Sequence, residues 1–159
     1  MGCRNGVSEF IESYGISARI EKSNVEVSAV SEAVRAAESP PSEMVKTLIV
    51  GVGNDYAAVV LTGNRKVSLS KVAKVPKSKT LRLAGCDEVR RITGFKVSGM
   101  SPLSDYAEPS RAIFDRKVLE KNWVWCGDEG LSTLVYVSVQ DLRRVLQPMV
   151  ADVSKDWVA

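Results

Sequence analysis

The chain contains no histidine in its 159 residues. That absence excludes a Ser-His-Asp or Cys-His nucleophile, a histidine general base and a histidine-ligated metal within the chain. Cysteine is scarce: Cys3, Cys86 and Cys126 are odd in number, far apart and form no CxxC pair. Neither a disulfide framework nor a zinc site is expected, and a reduced, cytoplasmic setting is the default. No apolar run approaches the roughly 20 residues that span a bilayer, so no membrane partner is expected. The opening M-G-C-R-N-G-V-S-E-F lacks the apolar core of a signal peptide and the Ser or Thr that myristoylation requires at position six. GxGxxG and Walker loops are absent too, which argues against dinucleotide or phosphoryl-transfer chemistry.

What is present has the balance of a globular protein, with 45% hydrophobic and 26% charged residues. A net charge of +3 allows contact with an RNA phosphate or two without the dense basic surface of a protein that coats nucleic acid. The length fits a single domain over residues 1–159, large enough to bury about 70% of its unfolded surface.

Periodicity predicts short interleaved elements. Val7, Phe10, Ile11 and Tyr14 have helical spacing closed by Gly15, and Ile16 to Ile20 alternates as a short strand. Ser28 caps a second helix to about Ala37, with Ala29, Ala33 and Ala36 on its packing face. Ser39-Pro40 opens a short third helix that ends at Lys46. Thr47 to Val52 and Tyr56 to Leu61 read as a hairpin of two central strands, because their hydrophobicity is continuous rather than alternating. Gly63 to Lys66 reads as a polar turn, and Ser68 starts a short helix. Strands are expected at 80–83, 112–115, 123–126 and 133–137, and helices at 87–93 and from Ser138 to about Leu146. A return to the sheet is expected at 150–153. The irregular order favours an α+β fold: a curved mixed, largely antiparallel β-sheet, barrel-like, flanked by short helices.

The residues that could carry chemistry are Lys46, the loop Ser98-Gly99-Met100-Ser101-Pro102, and Asp115 at a strand end. Each also has an ordinary reading. A lysine at a strand mouth is commonly a solvated charge, a Ser-Gly-x-Ser-Pro segment a plain turn, and an aspartate after Ala112-Ile113-Phe114 a cap for the next element. Trp123, Trp125 and Trp157 could anchor a protein partner, although tryptophans are more often part of a core.

Six collinear segments add to this reading: V45-K-T-L-I-V50, L61-T-G-N-R-K-V-S-L69, L81-R-L-A-G-C-D-E-V-R-R-I-T-G94, Gly99-Met100-Ser101-Pro102, I113-F-D-R-K-V-L119 and V150-A-D-V-S154. In this order, from about Phe10 to Ser154, the chain resembles the YbaK-type, prolyl-tRNA-synthetase-associated editing domains. The resemblance implies an α+β mixed sheet and hydrolysis of the aminoacyl ester of a mischarged tRNA, with no cofactor and no metal. The partners it implies are the acceptor end of a mischarged tRNA and an aminoacyl-tRNA synthetase. By the same resemblance Lys46 holds the phosphate of the terminal adenosine and Thr47 lies beside the aminoacyl group. Gly99, Ser101 and Pro102 belong to the catalytic loop, Ser98 and Met100 line the substrate, and Asp115 lies near the pocket. Ser98 stands where the family usually has glycine, and Asn64 where aspartate is common. Thr47 leans toward the YbaK-like and synthetase-insertion branches. A non-catalytic module that binds an aminoacyl or nucleotide end is the competing expectation, kept open by Ser98.

Overall fold

A computed structural model describes residues 7–22, 30–53, 55–75, 81–93, 101–103, 112–127 and 133–156. In chain order its elements begin with α1 (Val7–Tyr14), β1 (Ala18–Lys22), α2 (Val30–Ala37) and a 3-10 turn at Pro41–Glu43. Next come β2 (Val45–Val52), β3 (Asp55–Thr62), β4 (Arg65–Val67), α3 (Leu69–Val72), β5 (Leu81–Leu83) and α4 (Cys86–Thr93). The chain closes with β6 (Ala112–Asp115), a 3-10 turn at Arg116–Glu120, β7 (Trp123–Gly127), β8 (Thr133–Ser138), α5 (Val139–Leu146), β9 (Met149–Ala151) and β10 (Ser154–Asp156).

β2 and β3 form the central hairpin, paired antiparallel from Val45↔Thr62 to Val52↔Asp55. The five-stranded sheet runs β5-β2-β3-β6-β9, in which β3/β6 and β6/β9 are parallel. A second sheet, β1-β8-β7, is wholly antiparallel. Among the described residues one isolated parallel bridge, Met44↔Trp125, joins the start of β2 to β7. Through it the two sheets follow one another as a curved, mixed and largely antiparallel surface, as the sequence led us to expect.

Alternation along β2 and β3 distributes their side chains between two sides. Val45, Ile49, Ala58, Val60, Ala112 and Phe114 enter the main core, closed by the inner faces of β7 and β8 and by α1 and α5. Val50, Val59, Leu61 and Ile113 point the other way, into a second cluster under α3 and Val153. Met44 belongs to a third cluster with Ala33, Trp125 and Leu134, covered by α2. Apolar burial on both sides explains why β3 carries no polar residue from Ala57 to Leu61.

Several boundaries differ from expectation. Lys46 lies inside β2, not at the end of a helix, because the Pro40-Pro41 step yields only one 3-10 turn before Met44 and Val45 enter the sheet. Ser39 does not cap that turn. Its hydroxyl accepts from Trp125 Nε1 at 3.1 Å and donates to the Ala37 carbonyl. The expected polar turn at Gly63 to Lys66 is half strand, since β4 pairs with β10 and Arg65 reaches Asp156 and the Ser154 hydroxyl. Ser68 and Ser138 cap α3 and α5 as expected, accepting from the Lys71 and Asp141 amides. The expected cap Ser28 lies outside the described residues.

α5 ends on Gln147 at φ 44, a left-handed conformation that glycine adopts without a Cβ penalty. Gln147→Gly should therefore stabilise the fold by about 0.5–1 kcal/mol. The denaturation midpoint in urea reads this out, and an unchanged or lower midpoint would contradict it.

Candidate active site

β2 presents Lys46 and Thr47 to opposite sides. Lys46 follows Met44 and precedes Leu48, so its side chain sits in the seam between the second and third apolar clusters. It is half-buried there, and desolvation holds its ammonium below the ordinary lysine value. Its cross-strand neighbour is Leu61. Continuing the β3–β6 register by one residue sets Leu61 beside Asp115, which pairs with Ala151. Lys46 and Asp115 thus share one face and one row, with their backbones two strand spacings, about 10 Å, apart.

Asp115 is 1% exposed, and both of its carboxylate oxygens are occupied by the main chain. Oδ1 accepts from the Val153 amide at 3.0 Å and Oδ2 from the Lys117 amide at 3.3 Å, where Asp115 caps the 3-10 turn. This is the capping role that its position after a strand suggests. It ties the end of β6 to the segment between β9 and β10.

Thr47 points into the main core beside Val60 and is 5% exposed. Among the described residues its Oγ1 is the one buried side-chain polar atom without a hydrogen-bond partner. A buried hydroxyl left unpaired is unfavourable by about 1–3 kcal/mol, so proteins rarely keep one without a use. The backbone around it is also special. The Ile49 carbonyl accepts from the Ala84 amide, so the odd residues of β2 aim their peptide groups away from β3. That outer edge is paired by Met44↔Trp125 at one end and by β5 at residues 50–52 at the other. Between them the main chain of Thr47 faces an edge that no described strand occupies.

Ser101 and Pro102 are buried, and the adjoining Leu103 packs in the main core, on the side of the sheet to which Thr47 points. The Leu103 amide donates to Ser101 Oγ at 3.2 Å, so this hydroxyl fixes the exit of the loop. Ser98, Gly99 and Met100 lie outside the described residues.

One further constellation carries no sequence signature. Arg82 makes a bidentate pair with Glu88 at 2.6 Å, Tyr56 donates to the same carboxylate at 2.6 Å, and the Gly85 amide reaches it at 3.3 Å. The Arg82 hydrogen bonds, followed by that of Tyr56, pull the Glu88 carboxyl down to about 2. The clamp ties β5 and the start of α4 to β3, so it braces the far end of the same open edge. It also explains Gly51, where a Cβ would meet Arg82 Cζ at 3.3 Å.

Comparison with solved structures identifies the fold first. A hypothetical protein of known crystal structure superposes with a TM-score of 0.85 at 29% identity, covering 94% of this chain and 99% of its own. A candidate trans-editing enzyme for prolyl tRNA synthetase has the same fold, with a TM-score of 0.81 at 23% identity over 94% of each chain. Residues 24–145 match the aminoacyl-tRNA editing domain, and the chain belongs to that family. Curated relatives are the proline--tRNA ligases of Caldicellulosiruptor saccharolyticus and Caldicellulosiruptor bescii, 32% and 31% identical over 77 residues. The match covers 48% of this chain but only 14% of either ligase.

Two substitutions separate scaffold from site. Thr47→Val keeps the β-branched shape and removes the orphan hydroxyl, so the free protein should gain about 1 kcal/mol. A loss of stability would mean that Oγ1 is satisfied in solution. Asp115→Ala should cost about 2–4 kcal/mol, because the buried Val153 amide loses a charged acceptor and the 3-10 turn loses its cap. Thermal denaturation measures both.

Proposed function

We propose that the protein is an aminoacyl-tRNA deacylase, acting in trans as a single editing domain over residues 1–159. Its substrate is the ester of a small amino acid, such as cysteine, alanine or serine, on a mischarged proline tRNA or a similar tRNA. The observation that carries this reading is the junction in β2, where a half-buried lysine adjoins a buried threonine hydroxyl without a partner, on a stretch of strand edge that no described strand covers. Membership of the editing family and a fold neighbour described as a candidate trans-editing enzyme support it.

In this reading Lys46 is an electrostatic clamp on the phosphate of the terminal adenosine. Desolvation disfavours the charged amine, and a phosphate beside it would stabilise that charge. Thr47 supplies its hydroxyl and its edge-facing peptide groups to the aminoacyl moiety. The loop of Ser98, Gly99, Met100, Ser101 and Pro102 directs backbone N–H groups at the ester oxygen, where one well-placed donor is worth about 10²–10³ in rate. Water attacks the ester carbonyl, the ribose oxygen leaves, and the neighbouring ribose hydroxyl carries the proton from the water to that oxygen. With cysteine as the amino acid, its own thiol can attack the ester carbonyl instead: the ribose oxygen leaves with the thiol proton, and water then opens the thiolactone. Neither route needs histidine. Asp115 holds the β6 end of the Lys46 row in place, and an aminoacyl-tRNA synthetase is the expected partner for choosing the tRNA.

A deacylation assay over a panel of mischarged tRNAs tests this. Wild type should clear at least one small-amino-acid ester, and Lys46→Ala should lose about 10- to 100-fold in kcat/KM, the worth of one charged phosphate contact. Binding of these tRNAs without clearance above buffer would favour the non-catalytic module. Lys46 is charged below its lowered pKa, so after subtraction of spontaneous hydrolysis KM should rise with pH at a point below 10.5. Lys46→Arg should flatten that profile.

A further inference from the structure

The sequence W123-V-W125 alternates, and so does the facing strand around Tyr136. Val124, Cys126, Val135 and Val137 enter the main core, so Trp123, Trp125 and Tyr136 occupy the outer face of the β1-β8-β7 sheet. Register places Arg19, Tyr136 and Trp125 in one row across the three strands. The Arg19 guanidinium lies 5.6 Å from the Tyr136 ring centroid and 5.7 Å from that of Trp125. Trp123 stacks on Tyr136 with centroids 5.4 Å apart and the planes 24° from parallel.

Packing accounts for part of this ladder. Trp125 is 4% exposed beneath α2, with its indole N–H held by Ser39. It does not account for Trp123, which is 38% exposed, nor for Arg19, whose side chain is 63% exposed while Glu21 engages its Nε at 2.9 Å. The result is a preorganised surface in which the exposed Trp123 ring is backed by Tyr136 and neighboured by a guanidinium. Such a surface suits nucleobases, since every base has a π-face and stacking tolerates any sequence.

The face is continuous with the candidate site. Trp125 bridges Met44, and Lys46 follows two residues later on the same outer side. From strand geometry the Trp123 backbone is about 14 Å from that of Lys46, a span that a few nucleotides of single strand cover. We propose that Trp123, Tyr136 and Arg19 form a stacking platform for the unpaired bases of the RNA strand whose terminal phosphate sits at Lys46. This rests on the deacylase reading for the position of the strand's end.

Binding of a labelled, unstructured RNA tetranucleotide, followed by anisotropy, tests the platform without any catalysis. Trp123→Ala should weaken it about tenfold, Trp123→Phe should stay within about twofold, and the exposed Arg19→Gln should weaken it about threefold with unchanged melting. In deacylation, Trp123→Ala should raise KM for aminoacyl-tRNA about tenfold at constant kcat and leave aminoacyl-adenosine, which lacks the upstream bases, unaffected. Failure of deacylation with intact tetranucleotide effects would sink the enzyme reading alone. Equal tetranucleotide affinity in wild type, Trp123→Ala and Arg19→Gln would overturn the platform. So would loss of binding to a purified aminoacyl-tRNA synthetase by Trp123→Ala with RNA binding unchanged, since the face would then be a protein contact.

Discussion

Burial of β2 on both sides governs the arrangement of the other elements. Its side chains serve three apolar clusters: Val45 and Ile49 the main core, Val50 the second, and the preceding Met44 the third. Because successive side chains of a strand alternate, a slip of one residue would bury Lys46 in the main core and turn Val45 and Ile49 out of it toward the second and third clusters. The Met44–Trp125 bridge and the β5 pairing lock that register from the edge opposite β3. Between these two anchors no described strand pairs with β2, and this is where the polar exceptions collect.

Those exceptions have a common energetic character. Thr47 Oγ1 is buried without a partner, and Lys46 is charged against a desolvation penalty. In the proposed function, a ligand that brings a hydrogen-bonding group and an anion would answer both. The surrounding scaffold offsets these penalties through saturated interactions: Asp115 directs both oxygens to backbone amides, and Glu88 engages Arg82, Tyr56 and Gly85. Aspartate and glutamate here brace the frame, and the proposed function gives the contact with substrate to the lysine and the strand edge.

Much of this was legible in the chain. The hairpin is visible because continuous apolar runs such as Ala57-Ala58-Val59-Val60-Leu61 demand two-sided burial, and α5 because Ser138 and the Val139, Leu142, Leu146 spacing define a capped amphipathic helix. Asp115 was legible as a cap from its place after a strand, and the structure adds its second task at Val153. Ser39 was misassigned because its hydroxyl has two competing partners, and Trp125, 86 residues away, prevails over the local amides. The Arg82, Glu88 and Tyr56 clamp was not legible at all, since Tyr56 and Glu88 are 32 residues apart and meet only when β5 folds back on β2.

Patterning and collinear motifs are properties of the chain alone, and from them come the fold class, the central hairpin, the absence of histidine chemistry and the family. They also mark Lys46 and Thr47 as adjacent. Folding in three dimensions added that the two face opposite sides, that one bears a desolvated charge and the other an orphaned hydroxyl, and that an aromatic row ends beside them. The reason is physical: alternation says that neighbours diverge, but what each side chain meets depends on strands brought together from distant parts of the chain, and burial and hydrogen-bond satisfaction exist only once they have met.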